Sequence, residues 1–75
     1  LFEKGYTIYP NPFSDRIFID NLRGDEYFMI YDFLGRTIAK GNYSKVIRLP
    51  EAKPGLYHLT ILNSTNKTTY RLIKR

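Results

Sequence analysis

Residues 27–40 read YFMIYDFLGRTIAK. Phe28 and Ile30 are separated by Met29, the alternation a strand needs when one of its faces lies in a core, because successive Cβ atoms point to opposite sides. Asp32-Phe33-Leu34-Gly35 then reads as a type I turn, with the Asp accepting at its first position and the Gly taking positive φ at its fourth. A bulged hairpin follows from that turn. Strand, turn and returning strand within a few residues of one another point to antiparallel β structure.

The same period of two runs outward in both directions. Tyr6 and Ile8 alternate with Thr7 and Tyr9, Ile17 and Ile19 bracket Phe18, and Ile47 and Leu49 flank Arg48. Tyr57, Leu59 and Ile61 alternate with His58 and Thr60. No window of about twelve residues carries a helical apolar stripe free of Gly or Pro, so no substantial helix is expected. Pro10-Asn11-Pro12 ends the first strand, Asn21-Leu22-Arg23-Gly24-Asp25 is a loop, and Gly41-Asn42 separates the next pair. Pro50 and Pro54-Gly55 bound a connection long enough to cross between sheets, and Asn63-Ser64-Thr65-Asn66 closes the last hairpin. Seven strands result, at about 6–9, 16–20, 26–32, 36–40, 44–49, 55–62 and 67–74. Short strands with turn signals roughly every 8–12 residues predict an all-β, seven-stranded antiparallel immunoglobulin-like sandwich. A small closed barrel is the competing architecture.

The chain has 75 residues, enough for one small domain that buries roughly 63% of its unfolded surface. It has no cysteine, so packing alone must hold it, and no structural metal or cofactor is expected. Seven Tyr and five Phe are too many for a disordered tail. No apolar run is long enough to span a bilayer as a helix, so no direct membrane insertion is expected. The only Met is Met29, which suggests that Leu1 is not a translation start and that residues 1–5 are the remnant of a linker from a preceding domain.

Twelve Lys and Arg against seven Asp and Glu give a net charge of +5. Eight of the twelve are scattered from Lys4 to Lys53, whereas Lys67, Arg71, Lys74 and Arg75 crowd the last nine positions. Charge gathers only at that end. A basic, Tyr-rich β-domain could stack bases while Lys and Arg track a nucleic-acid backbone. The aromatics, however, fall in the phase of the core or beside turns, and the bases form no stripe, so no nucleic-acid partner is expected.

Little in the chain could carry out chemistry. There is one His and no Cys, and the acids are dispersed, which excludes the usual zinc and calcium ligand patterns. His58 is out of phase with Tyr57, Leu59 and Ile61 and reads as an outward strand residue rather than a general base. The chain is not expected to be an enzyme. Arg23-Gly24-Asp25 is the tripeptide that integrins read, but Gly-Asp is also ordinary turn chemistry. Leu49-Pro50-Glu51-Ala52 begins like a Gram-positive sortase substrate and lacks the Thr and Gly that complete it. Asn42-Tyr43-Ser44, Asn63-Ser64-Thr65 and Asn66-Lys67-Thr68 match the glycosylation triplet, which a turn-rich chain produces by chance.

Four landmarks occur in a set order. They are Tyr9-Pro10-Asn11-Pro12, then Ile30-Tyr31-Asp32-Phe33-Leu34-Gly35-Arg36, then Pro54-Gly55-Leu56-Tyr57-His58-Leu59, and finally Arg71-Leu72-Ile73-Lys74. Together they resemble the C-terminal sorting domain of the type IX secretion system, the type A secretion tails, over nearly the whole chain. The resemblance implies that residues 1–75 form a single sorting domain with an immunoglobulin-like sandwich fold. It implies a cargo protein that passes through the periplasm and then the outer membrane, to the cell surface or the medium. The implied partners are the translocon, its outer-membrane shuttle components and a sortase-like cysteine protease, which in many members removes the tail and joins the cargo to lipopolysaccharide.

The resemblance also assigns residues. Pro54, Gly55 and Tyr57 match the family's Pro-Gly-x-Tyr segment, a corner that sets the entry of the sixth strand. Leu72, Ile73 and Lys74 match the terminal strand engaged by the export machinery; Arg71 stands where Lys is common, and Arg75 adds one more charge. Tyr9, Pro10, Asn11 and Pro12 mark the junction of cargo and tail, with Asn11 and Pro12 shaping it rather than contacting anything. Recognition is thus expected through the last strand and basic end, residues 67–75, with edge-strand pairing as one mode and self-dimerisation through an uncovered edge as its by-product. The other reading is a carbohydrate-binding or adhesive sandwich, for which Phe13, Phe33 and Tyr43 would have to form an exposed planar row.

Overall fold

A computed structural model describes residues 5–75; residues 1–4, which hold Glu3, Lys4 and most of the expected linker remnant, lie outside the described residues. The described residues form seven strands and no helix: β1 Thr7–Tyr9, β2 Arg16–Asp20, β3 Tyr27–Asp32, β4 Thr37–Asn42, β5 Val46–Arg48, β6 Gly55–Leu62 and β7 Lys67–Lys74. They divide into a three-stranded sheet ordered β1-β2-β5 and a four-stranded sheet ordered β4-β3-β6-β7, and every strand pair is antiparallel. The expected all-β class therefore holds, and the architecture is two sheets, not a closed barrel.

The alternation read from the sequence selects the core. Ile17, Ile19 and Ile47 of the small sheet meet Ile30, Tyr57, Leu59, Ile61 and Leu72 of the large one in a single buried cluster. Phe13, from the segment between β1 and β2, is fully buried in the same cluster. Pro50 and Pro54 do bracket the crossing from β5 in one sheet to β6 in the other.

The Asp32 turn forms as expected. The Gly35 N–H donates to the Asp32 carbonyl at 2.9 Å, and Gly35 has φ 86°. Asp32 Oδ1 also accepts from the Leu34 and Arg36 N–H groups, and Arg36 Nε lies 2.8 Å from Oδ2. The Arg36 backbone N–H, with the Arg36 guanidinium behind it, holds the Asp32 carboxyl below the usual carboxylate range. The expected bulge falls between Ile30 and Tyr31.

Four strands differ at their ends from the sequence reading: β3 and β4 each begin one residue later, at Tyr27 and Thr37, and the larger changes fall in β4, β5 and β1. Gly41-Asn42 is not a turn but the end of β4, paired with Phe28 and Tyr27. A Cβ on Gly41 would sit 3.4 Å from the Phe28 ring, an ordinary contact distance, so the glycine is a strand residue lying against its neighbour rather than a bend in the chain. The turn comes later, where the Ser44 hydroxyl donates to the Val46 carbonyl at 2.6 Å. That contact shortens β5, although Lys45 O and Leu49 N still bond to Ile19 N and Asp15 O at its two ends. Tyr6 leaves β1 because its N–H donates to the Tyr70 hydroxyl at 3.2 Å, which ties the incoming chain to the large sheet.

Candidate functional site

The three segments singled out by the resemblance meet at one end of the large sheet. Gly55, Leu56 and Tyr57 at the start of β6 pair with Lys74, Ile73 and Leu72 at the end of β7. Gly55 takes φ 146°, a conformation costly for any residue with a Cβ, as β6 begins. Tyr57 is buried, and its hydroxyl finds the partner it needs in the Lys53 carbonyl at 2.6 Å. This locks the corner after Pro54, which is itself exposed. Beside the corner, a groove of about 420 Å³ is floored by Ile38, Leu49 and Tyr57, with both acids and bases around it.

The other side of β7 is not open. Asn11 donates from Nδ2 to the Arg71 carbonyl at 2.8 Å and accepts at Oδ1 from the Ile73 N–H at 2.9 Å. Phe13 then continues the pairing: its N–H donates to Ile73 O at 2.8 Å, and its carbonyl accepts from Arg75 N at 2.9 Å. The result is an isolated parallel bridge to Lys74, whose Nζ stands 6.0 Å from the centroid of the Phe13 ring. Asn11 acts as a strand neighbour made from a side chain, with its amide oxygen and nitrogen taking the places of a backbone C=O and N–H. Two expectations change as a result. Asn11 does make contacts, and the C-terminal half of β7 is not an uncovered edge, because residues 11–13 already pair with it. Pro10 and Pro12, both after cis bonds and both exposed, flank Asn11. Tyr9 lies on the small sheet, its ring stacked on Phe18 at 5.5 Å and its hydroxyl donating to Asp20 at 3.2 Å. Asn11→Ala should cost about 1–2 kcal/mol, and the Ile73 amide should exchange markedly faster with solvent than in the parent; unchanged Ile73 protection would refute the edge-cap role.

Alternation splits the basic end between two faces. Lys67, Arg71 and Ile73 point outward from the large sheet, whereas Leu72 is buried and Lys74 turns toward Phe13. His58 pairs with both Tyr31 and Arg71 on that outward face. Among the described residues no cluster of His, Cys, Asp and Glu is placed to hold a metal ion. The planar aromatic row required by the carbohydrate reading is not formed, because Phe13 is in the core while Phe33, in the Asp32 turn, is 72% exposed.

One polar centre was not singled out in the sequence. Glu26 is only 3% exposed, and its carboxylate accepts from Arg23 N at 2.9 Å, Gly24 N at 2.9 Å and the Tyr6 hydroxyl at 2.9 Å. Asn63 Nδ2 donates in turn to the Tyr6 oxygen at 2.8 Å. Burial is the largest single influence on Glu26 and pushes its carboxyl up, but the hydrogen bonds together outweigh it and leave the group below its usual range. The phase was legible: Glu26 stands in register with Phe28 and Ile30, so its side chain points inward. The Arg23-Gly24-Asp25 tripeptide is part of this centre, with two of its amides held by Glu26 and the Asp25 carboxylate accepting from Ser64 N at 3.2 Å. Its backbone is fixed for a structural reason.

No curated protein sequence matches the chain. Among solved structures, PorZ of Porphyromonas gingivalis, an essential bacterial surface component of that organism's type IX secretion system, superposes with a TM-score of 0.76 at 19% identity. The match covers 95% of this chain and 11% of PorZ, so the chain spans about a tenth of that protein and the likeness speaks for the fold. The profile of the family described as the secretion system C-terminal sorting domain matches residues 7–75, from the first strand to the last residue of the basic end, and the chain belongs to that family.

Proposed function

We propose that this domain is the export signal of a larger cargo protein, directing it through the periplasm and across the outer membrane by the type IX system, and that it acts by being recognised rather than by chemistry of its own. The single observation that carries the reading is the family match over residues 7–75. The convergence of the Pro54–Gly55–Tyr57 corner, the Asn11–Phe13 strap and the basic end of β7 supports it, because separate stretches of sequence are thereby made one surface feature. The recognising partners are the translocon and its outer-membrane shuttle. A sortase-like cysteine protease then removes the tail from cargo destined for attachment to lipopolysaccharide. The sandwich is of the immunoglobulin-like kind: the three-plus-four division of strands and a buried tyrosine that bonds back to the backbone four residues upstream both favour this.

The test is delivery of a reporter. Residues 1–75 are joined to the C-terminus of a periplasmic reporter in a host with a type IX system. The reporter is expected at the surface or in the medium, and only while the translocon is intact. Retention in the periplasm, or release that does not need the translocon, would refute the reading. Deleting residues 70–75 is a poorer test, because it removes the fully buried Leu72 and so confounds recognition with folding.

A further inference from the structure

The outer face of the large sheet is covered by no other part of the described chain. Its charged residues are Lys40 on β4 and Lys67 and Arg71 on β7, placed on the two edge strands. On the two central strands between them lie the half-buried Met29, Tyr31 and Leu62, while the more exposed apolar groups stand at the two ends of the face: Tyr27 at 37% beside Leu62 and Lys67, and Leu56 at 38% opposite Ile73 at 44%. No Asp or Glu points outward from any of the four strands. Asp25 and Glu26 are held at the β2–β3 loop, Asp32 in the next turn and Glu51 in the β5–β6 connection. Cross-strand pairs of opposite charge stabilise sheets, yet the residues opposite Lys40, Lys67 and Arg71 are Met29, Leu62 and His58, and none of the three bases is in an ion pair among the described residues. The small sheet differs, carrying Asp20 beside Tyr9 and an Arg16–Asp15 pair at 3.5 Å.

We propose that this acid-free outer face, with Lys40, Lys67 and Arg71 on its edge strands and Met29, Tyr31 and Leu62 between them, is the surface on which the domain docks, and that its occupant is an acidic protein surface with apolar residues at its centre. The inference rests on the sorting reading above and names the face that does the recognising. An apolar centre inside a polar rim is the anatomy of protein–protein interfaces. Complementary charge at the rim speeds encounter and fixes orientation. A nucleic acid or a sugar would need ring faces free for stacking. Here the Tyr31 hydroxyl lies 3.4 Å from the Met29 sulfur and its ring is half-buried, and Tyr27, the other tyrosine of the face, stands four residues away at the end of β3, so the two rings form no continuous stacking row. The occupied C-terminal half of the β7 edge agrees with docking on a face rather than by strand addition there.

The test uses the same reporter carrying the whole chain. A face variant combines Lys40→Glu, Lys67→Glu and Arg71→Glu; a control of equal charge change on or beside the small sheet combines Arg16→Glu, Lys45→Glu and Arg48→Glu. The face variant should keep its urea midpoint and lose delivery on the order of tenfold or more, the control should stay within about twofold, and Lys40→Arg, Lys67→Arg and Arg71→Lys together should restore it. A photo-crosslinking side chain at Thr69 in the parent should give an adduct with a polypeptide. Glu→Lys changes in the captured region of that polypeptide should rescue the face variant. Equal delivery by parent and face variant, an equal loss in the control, or adducts only with nucleic acid or glycolipid would each overturn the proposal. If the parent reporter is not delivered at all, the sorting reading fails and this proposal falls with it; parent delivery with an indifferent face variant sinks the proposal alone.

Discussion

Phe13→Ala should leave the domain largely unfolded at room temperature. Phe13 is fully buried in the cluster shared by the two sheets, and truncating such a ring costs about 3–5 kcal/mol through lost burial and the cavity left behind. A domain of this size without disulfides rarely holds more than about 3–5 kcal/mol from its core. The loss is not only one of packing. The Phe13 backbone is the last part of the strap that pairs with Ile73 and Arg75, and the ring is what fixes that backbone in place. Urea titration followed by far-UV circular dichroism gives the measurement, with Phe13→Leu as a companion that keeps most of the apolar volume. The expected order is parent, then Leu, then Ala, and the Ile73 and Arg75 amides should lose protection in the Leu variant before those of β2. An Ala variant within about 1 kcal/mol of the parent would show that Phe13 is not a core residue.

Glu26→Ala should cost about 1–3 kcal/mol at neutral pH, because it takes the acceptor from the part-buried Arg23 and Gly24 amides and Tyr6 hydroxyl. The parent should also be acid-labile in a way the variant is not. The folded-state carboxyl of Glu26 is depressed, so its contribution is complete above the ordinary glutamate range and is lost as pH falls through that range and below it. Asp25 and Asp32 are depressed as well, by the Ser64 and Arg36 backbone N–H groups first of all, so some acid dependence will persist in the variant. Denaturation midpoints measured from pH 7 down to about pH 3 should converge for parent and Glu26→Gln as the parent's carboxylate protonates. Parallel curves, with a constant gap between them, would show that ionised Glu26 contributes nothing.

The stretch Asp32-Phe33-Leu34-Gly35 was legible because its turn is made by groups a few residues apart, and the structure repeats it bond for bond. β2, β6 and β7 were legible to the residue, because each is a run of alternating apolar positions ended by turn chemistry. β4 was not: Gly41 reads as punctuation in the sequence, and only its pairing with Phe28 across the strand shows it to be a strand residue. Glu26 was half legible. Its phase with Phe28 and Ile30 points it inward, but the donors that make burial tolerable come from residues 6, 23 and 24 and can be located only in space. The segments of the candidate site could be named from the sequence, but their meeting at one end of the large sheet could not.

Read along one dimension, the chain already specifies that it is all-β, where most of its strands run, which side of each strand is buried, and which family it belongs to. Those properties are local: they depend on alternation, on turn residues and on the order of short motifs. The tertiary structure alone decided that the strands divide three and four, that Asn11 and Phe13 close the edge of β7 from about sixty residues away in the chain, and that Lys40, Lys67 and Arg71 share one acid-free face. Each of these is set by long-range pairing, in which loop closure and the fit of side chains across sheets choose among partners that one-dimensional periodicity leaves equivalent.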